Sequence, residues 1–199
     1  MSEKSTNKIN LRVLVECAIL IAMGAVLSQI KLFEMPNGGS VTAASMVPFL
    51  IISYRHGVGM GLISGFVNAL LQMMQGMWAP VAPGIIGWIG EILLDYVLAF
   101  ALLGLAAAFF APFAKSKNKT TKAVGIGVSA AICCFIRFLC SFLSGFLVWA
   151  DIFSDGIGAV TYSLTYNGSY MIPETIITVI VCVLLYLVAP KIFTRDYKI

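Results

Sequence analysis

Six apolar stretches alternate with short polar, glycine- or proline-containing segments along the whole chain. A transmembrane helix needs about 20 mainly apolar residues, and most of the stretches reach that length. The second stretch is short and broken by Pro48, and the sixth is interrupted by Asn167, Gly168 and Pro173. The pattern predicts an all-α integral membrane protein with about six transmembrane helices. The predicted spans are residues 12–30, 41–54, 57–77, 84–113, 123–149 and 159–190.

The composition excludes a soluble globular protein. Of the 199 residues, 60% are hydrophobic and 11% are charged, and the mean hydropathy is +0.96, whereas soluble domains carry about 25% charged residues. The net charge of +4 comes from cations in the short polar segments, a placement that sets membrane topology and does not indicate a nucleic-acid partner. We therefore divide the chain into a polar tail at 1–10, a single domain in the lipid bilayer at 11–190 and a basic tail at 191–199.

Positive charges fall almost entirely on one side of the predicted helices, and Lys31 alone lies on the other side. Since cytoplasmic loops carry an excess of Lys and Arg, both termini are predicted to be cytoplasmic. The loops at 33–42, 78–83 and 151–158 then face the outside of the cell membrane. The cations assigned to the cytoplasmic side are Lys4, Lys8, Arg12, Arg55, Lys115, Lys117, Lys119, Lys122, Lys191, Arg195 and Lys198.

Four ionisable residues lie inside predicted spans: Glu91, Asp95, Arg137 and Glu174. Such a side chain costs about 2.5–3.5 kcal/mol in a membrane helix, so each needs a partner or a wet cavity. Glu91 and Asp95 are four positions apart, which places both carboxylates on one helix face. Two interpretations stay open: an internal ion pair of Arg137 with Glu91, and a ligand site that uses Asp95.

Aromatic residues and one amide gather at the outer ends of the fifth and sixth spans. Aromatic belts are common at membrane interfaces, so part of this group serves as anchors. Asn167, however, brings polar atoms that need partners, and beside Gly168 it predicts an irregular backbone that lines a cavity. Aromatic faces with a carboxylate suit a small, flat organic cation. The group consists of Phe142, Phe146, Trp149, Tyr162, Tyr166, Asn167 and Tyr170.

Small residues at four-residue spacing indicate close helix contacts. Gly57, Gly61 and Gly65 form overlapping G-x-x-x-G steps on the third span, and we interpret them as internal packing. Ala18 and Ala22 form a similar step on the first span. For the two alanines, internal packing and docking of a partner helix are both open.

The motifs of common catalysts are missing from the sequence. It contains no G-x-x-x-x-G-K-[ST] phosphate loop, so the chain is not expected to hydrolyse ATP itself. The five cysteines lie in apolar stretches without a C-x-x-C pair, and His56 is the only histidine. We therefore expect no metal, no cofactor and no enzymatic activity.

A set of short motifs runs in order through most of the chain, from about Arg12 to Pro190. They are Leu93-Leu94-Asp95-Tyr96, Arg137-Phe138 followed by Phe142, Ser144, Gly145 and Trp149, Tyr162-Ser163-Leu164, Tyr166-Asn167-Gly168-Ser169-Tyr170 and Pro173-Glu174. With the loop at 31–42, these motifs resemble the thiamine-specific substrate-binding subunit (S component, ThiT family) of energy-coupling factor transporters. The resemblance implies a six-helix subunit that captures thiamine from outside and is coupled to a module of two ATPases and one transmembrane scaffold protein.

The resemblance also implies roles for individual residues. The acidic residue that hydrogen-bonds the aminopyrimidine of thiamine corresponds to Asp95, and the loop at 33–42 corresponds to a lid over the site. The other matched positions are Trp149 and Tyr162 as lining aromatics, Asn167 as a binding amide, Gly145 as a close-approach glycine, Arg137 as a basic residue at the pocket, and Ala18 and Ala22 as the motif that docks on the scaffold protein.

Two positions depart from the family pattern. Ser141 stands where the family usually has a histidine, and Val97 stands where a proline is frequent. The serine points to weaker binding or to a related ligand such as the free pyrimidine, so Ser141 joins the candidate site. Trp78 and Glu91 join it as well, although the match between 77 and 90 is loose.

Alternatives of other classes remain open at this stage. One alternative is an S component for a thiamine precursor or a related organic cation. Another is an ion-driven secondary transporter with Glu91, Asp95 and Glu174 as a proton relay. A membrane-embedded enzyme or structural subunit that binds no vitamin is a further alternative.

Overall fold

A computed structural model of the chain describes residues 11–36, 38–77, 79–80, 84–149 and 156–194. Within them, helices α1 to α6 surround a common core, a two-stranded hairpin follows α1, and a short 3-10 turn at Pro190–Phe193 follows α6. The helices are α1 Leu11–Gln29, α2 Val47–His56, α3 Val58–Gln75, α4 Gly84–Ala114, α5 Lys119–Leu147 and α6 Gly156–Val188. The strands are β1 Lys31–Glu34 and β2 Ser40–Thr42.

Five of these helices are long and apolar enough to cross a bilayer, namely α1, α3, α4, α5 and α6. Their outer faces carry exposed large apolar side chains, among them Ile19 at 58% and Ile63 at 56% exposure. Such surfaces are typical of contact with lipid and not with water. The prediction of an all-α membrane protein is therefore confirmed.

The second predicted span, 41–54, differs from the structure. The helix here is α2, which has only 10 residues and is buried from Val47 to Ser53. Pro48 lies in its first turn, where a proline costs no hydrogen bond, so it begins the helix and does not break it. The helix ends at Gly57, whose φ of 89° is readily adopted by glycine.

The loop predicted at 33–42 contains an antiparallel hairpin. Lys31 pairs with Thr42 and Glu34 pairs with Ser40 across its two strands. Gly38 and Gly39 turn the chain with φ angles of 87° and 83°, a region that side chains disfavour. Pattern analysis missed the strands because each has only three or four residues.

The sixth span was predicted to be interrupted at Asn167, Gly168 and Pro173, and this prediction is wrong. In the structure, α6 runs without a break from Gly156 to Val188 with Pro173 inside it. A break within a bilayer would leave several backbone groups without partners, whereas a proline removes a single backbone hydrogen bond. The continuous helix is therefore the less costly solution.

The chain ends that the structure describes meet at one end of the bundle. The Arg55 guanidinium at the end of α2 binds the Glu16 carboxylate of α1, with Nε and Oε2 2.8 Å apart. The same guanidinium donates to the carbonyl oxygens of Lys191 and Thr194 after α6. The first and last parts of the described chain thus lie on one side of the bundle, and the cytoplasmic orientation of this side stays a prediction.

Glycines allow α3 and α4 to touch backbone to backbone. A Cβ atom placed on Gly61 would lie 2.7 Å from the Cα of Gly104, and one on Gly65 would lie 2.3 Å from the carbonyl oxygen of Phe100. The predicted packing role of Gly61 and Gly65 is confirmed. Gly57, in contrast, has no atom within 4 Å of its Cβ direction and serves as the turn between α2 and α3.

We predict that Gly65→Ala destabilises the protein by about 1–3 kcal/mol, because the added methyl group overpacks the contact with α4. The readout is thermal unfolding of the purified protein in detergent. Gly59→Ala is the matched control: it lies in the same helix with nothing within 4 Å, and alanine favours helix over glycine. Equal melting temperatures for Gly65→Ala and the wild type would contradict the packing role.

Candidate functional site

A cavity of about 640 Å³ lies at the end of the bundle opposite the chain ends. Its wall includes the last residues of α1 and α3, Gln29 and Gln75, and the hairpin covers part of it. Residues 91–100 of α4, residues 137–145 of α5 with Trp149 after it, and residues 162–174 of α6 supply most of the remainder. Its volume falls in the range of small-molecule sites, about 300–1,000 Å³. The site residues proposed from sequence that line it are Glu91, Asp95, Arg137, Ser141, Gly145, Trp149, Tyr162 and Asn167.

Two carboxylates of α4 point into this cavity. Asp95 accepts a hydrogen bond from the Ser144 hydroxyl of α5. Glu91 is only 2% exposed, and its Oε2 atom has no hydrogen-bond partner among the described residues. The backbone from Ile92 to Leu98 forms a π-helix. Such helices are rare in proteins overall, but those that occur are often at functional sites. Asp95 is thus held in place, while Glu91 keeps an oxygen available.

Arg137 of α5 stacks its guanidinium over the Phe100 ring of α4, 4.4 Å from the ring centroid. Among the residues that the structure describes, no ion pair joins Arg137 to Glu91, and the Arg137 Nε atom lacks a hydrogen-bond partner. The internal ion pair of Arg137 with Glu91, one of the two interpretations left open by the sequence, is therefore not formed. A cation–π contact stabilises the guanidinium instead.

The half of α6 nearer its first residue presents an aromatic wall to the cavity. The rings of Tyr162 and Tyr166 stack with centroids 5.2 Å apart, and Tyr170 meets Tyr166 edge-on at 6.3 Å. Asn167 is held within this wall, because its Nδ2 donates to the Ser163 carbonyl at 3.0 Å and its Oδ1 accepts from the Tyr170 hydroxyl at 2.8 Å. The amide therefore presents a fixed orientation beside three rings.

Gly145 lets α5 approach this wall closely. A Cβ atom at Gly145 would lie 2.3 Å from the Ser163 hydroxyl and 3.0 Å from the Asn167 amide nitrogen. Any larger residue would push both side chains away. Ser141, one turn earlier on α5, lines the cavity and is 7% exposed.

Other residues predicted to be functional lie outside the cavity or outside the described residues. Trp78 belongs to the part of the chain that the structure does not describe. Ala18 and Ala22 lie on an exposed face of α1, whereas Cys17 and Gly24 of the same helix are buried. Internal packing is thus not the use of this alanine pair. No group of three or more His, Cys, Asp or Glu that could hold a metal occurs in the described residues.

Sequence reasoning did not assign several cavity residues. Glu174 is 1% exposed and lines the cavity, as does Thr42. Glu174 was recognised as an acid inside a span but was not placed at the site, since periodicity alone does not say which acids share a cavity. Gln72 and Gln75 at the end of α3 were missed as well, although two amides in an apolar span are a signal of the same kind as Asn167.

Comparisons with known proteins agree with this fold and cavity. Residues 14–194 match the family described as thiamine transporter protein. The chain is 34% identical to the thiamine transporter ThiT of Bacillus subtilis over 188 residues, which cover 92% of this chain and 94% of that protein. It is 29% identical to the ThiT of Lacticaseibacillus paracasei over 200 residues, covering 94% and 92% of the two chains.

A solved structure of ThiT from Listeria monocytogenes has the same fold, with a TM-score of 0.74 over 93% of this chain and 98% of that chain at 24% identity. The curated relatives are named as transporters and not as enzymes. The resemblance noted from sequence is confirmed. With five helices that can span a bilayer, this chain is a multi-pass membrane protein that belongs to the thiamine transporter family.

Proposed function

We propose that this chain is the substrate-binding S component of an energy-coupling factor importer. It captures thiamine from outside, and a separate module of two ATPases and one transmembrane scaffold protein drives uptake. The observation that carries the proposal is the cavity at one end of the bundle, where Asp95 faces the aromatic wall of α6. Membership of the thiamine transporter family supports the choice of ligand.

The charge of the cavity favours a cation. Besides the exposed ion pair of Lys31 with Glu34, its lining contains three carboxylates and one basic side chain. Because the cavity lies in an apolar bundle, these charges act through a lower effective dielectric constant than in water. The thiazolium ring of thiamine carries one positive charge, which would offset part of the excess of negative charge in the cavity. The three carboxylates are Glu91, Asp95 and Glu174, and the basic residue is Arg137.

Each part of thiamine has a suitable partner in the cavity. The Asp95 carboxylate, held by Ser144, accepts a hydrogen bond from the aminopyrimidine. The rings of Tyr162 and Trp149 cover the planar groups and the positive charge. Asn167 supplies an acceptor, the second lone pair of its Oδ1 atom, and its position is fixed by bonds within α6 to Ser163 and Tyr170. We assign Glu91, with its available oxygen, to a second polar contact.

Energy coupling then depends on a partner. The sequence has no phosphate loop, so ATP hydrolysis belongs to other subunits. Ala18 and Ala22 leave a shallow strip on the exposed face of α1, and small residues at this spacing let a second helix approach closely. We assign this strip to contact with the scaffold protein.

One observation bears on the ion-driven alternative. A proton relay through Glu91, Asp95 and Glu174 needs carboxylates that can exchange protons with one another. Both oxygens of Glu174, however, accept hydrogen bonds from Thr42 at 2.6 Å. Glu174 is thereby engaged in a structural contact, and this favours the binding subunit.

We predict that Asp95→Asn weakens thiamine binding about tenfold or more, since a charge-assisted hydrogen bond contributes about 1.5–3 kcal/mol. Affinity is measured by titrating the purified protein with thiamine and following its tryptophan fluorescence. Glu34→Gln is the control, because Glu34 lies at the exposed mouth beside Lys31; its affinity should stay within about twofold of the wild type. Unchanged affinity of Asp95→Asn would remove Asp95 from the site.

The same titration addresses the choice of ligand at Ser141. Tight binding of thiamine supports the proposal as stated. Binding of the free pyrimidine precursor in preference to thiamine would indicate the related S component, with Ser141 as the mark of its specificity. Absence of binding for both compounds would contradict an S component of this class.

We predict that Ala18→Leu together with Ala22→Leu abolishes thiamine uptake by cells while leaving the affinity of the purified protein unchanged, because leucines prevent close contact with the scaffold protein. Ala108→Leu is the matched control, an exposed alanine on α4 that should support normal uptake. Wild-type uptake by the double variant would argue against this docking surface. Uptake by proteoliposomes that contain this chain alone would contradict the need for an ATPase module.

A further inference from the structure

One ion pair ties α1 to the rest of the bundle at the end opposite the cavity. Both oxygens of the Glu16 carboxylate bind the Arg55 guanidinium of α2, with Nε 2.8 Å from Oε2 and Nη2 3.3 Å from Oε1. The buried imidazole of His56 lies with Nε2 3.2 Å from the same Oε2. The third guanidinium nitrogen, Nη1, donates to the carbonyl oxygens of Lys191 and Thr194. Arg55 thus joins α1 to the segment that follows α6.

Apolar side chains lie on every side of α1. Val13 is buried against the bundle, whereas its neighbours Leu14 and Val15 are exposed, as are Ile19 and Val26 further along the helix. Within a bilayer, lipid tails are as apolar as these side chains, so the hydrophobic effect does not decide which face turns to the bundle. The rotation of α1 about its own axis is therefore set by other contacts.

The ion pair of Glu16 is the strongest of these contacts. Glu16 is the only acidic residue of α1, and rotation of the helix would carry its carboxylate away from Arg55 and towards lipid, where a charge is costly. A bidentate pair of this kind also fixes direction as well as distance. Further along α1, Gly24 admits the ring of Phe49. That contact depends on shape alone, and its loss leaves no charge without a partner.

The rotation set by Glu16 decides where the alanine strip of α1 faces. Successive residues of an α-helix are turned by about 100°. Measured from Glu16, the buried residues Cys17 and Gly24 lie at about 100° and 80°, whereas Ala18 and Ala22 lie at about 200° and 240°. With Glu16 in its ion pair, both alanines consequently face away from the bundle and are exposed.

We propose that Glu16 and Arg55 are positioning residues, whose ion pair sets the rotation of α1 so that Ala18 and Ala22 face the scaffold protein. The proposal rests on the proposed function for the identity of this partner. The pair acts through α1 and does not itself contact thiamine or the scaffold protein. Its bonds to the chain after α6 hold the docking helix and the ligand-binding helix in one fixed relation.

The reactivity of Cys17 tests the orientation without thiamine or a partner. This thiol is 3% exposed and directly follows Glu16. In the purified protein in detergent, we expect Glu16→Gln to make Cys17 react with N-ethylmaleimide at least about fivefold faster, because rotation of α1 takes it out of contact with the bundle. Peptide mass spectrometry identifies the labelled cysteine. Cys133 and Cys134 of α5, both buried, are internal controls that should react at the wild-type rate.

Uptake and binding should respond differently to the same substitution. We expect Glu16→Gln to lower thiamine uptake by cells about tenfold, because small residues no longer face the scaffold protein. The affinity of the purified protein should stay within about twofold of the wild type, since the cavity is at the other end of the bundle. Lys119→Gln is the matched control. It removes a bond to the Leu187 carbonyl of α6 near the ion pair and should leave uptake and Cys17 labelling unchanged.

Variants of Arg55 separate orientation from stability. Arg55→Gln leaves the Glu16 carboxylate without its cation and also removes the bonds to the chain after α6, so it tests both at once. The double variant Glu16→Gln, Arg55→Gln has neither charge, and we expect it to match Glu16→Gln in Cys17 labelling and uptake, because two residues of one pair are not additive. Arg55→Lys keeps the charge without the bidentate geometry and should give labelling between these variants and the wild type.

Three results would overturn the proposal. One is unchanged Cys17 labelling in both Glu16→Gln and the double variant. Another is wild-type uptake by a variant in which Cys17 has become reactive. The third is a loss of thiamine affinity together with faster labelling of Cys133 and Cys134, which would show that the pair only stabilises the bundle as a whole. Reactive Cys17 in Glu16→Gln, with a wild type that binds no thiamine, would refute the proposed function and still support the orientation of α1 by the ion pair.

Discussion

The cost of placing charged groups in an apolar bundle governs this structure. Each carboxylate or guanidinium within the spans needs a partner, a ring face or a wet cavity. Asp95 accepts a hydrogen bond from Ser144, and Glu174 accepts hydrogen bonds from Thr42. The Arg137 guanidinium stacks on the ring of Phe100. All three solutions lie around one cavity. The same requirement that restricts charged residues in the membrane thus concentrates the polar chemistry of the protein at one end of the bundle.

Most of the fold could be predicted from sequence because long apolar stretches have few alternatives in a bilayer. The ends of α1, α3 and α5 agree with their predicted spans within a few residues. The exceptions have physical reasons. Buried α2 is shorter than a span because it lies inside the bundle, and the hairpin is too short to leave a pattern. Pro173 was weighted as a helix breaker, although a bilayer makes a real break more costly than one missing hydrogen bond.

The candidate site could be predicted only in part. Asp95 and Asn167 stood out because polar groups are costly in a membrane helix, and both line the cavity. The role of Glu174 could not be inferred, since its partner Thr42 lies 132 positions away in the sequence. Equally, no sequence pattern shows whether Arg137 is neutralised by an acid or by a ring. Such long-range pairings depend on the final packing of helices and need a structure.

The π-helical segment of α4 lets the parts of this helix on either side of it face different directions. Beyond this segment, towards the chain ends, Gly104 must face α3 so that the two backbones can touch, whereas Asp95 within the segment must face the cavity. A π-turn accommodates an additional residue and so changes the angle between the parts of a helix on either side. The direction in which the binding residues of α4 face is thereby independent of the backbone contact between α3 and α4. The cavity end of α4 can be refitted to a different ligand without realigning the helix pair on which the membrane domain is built.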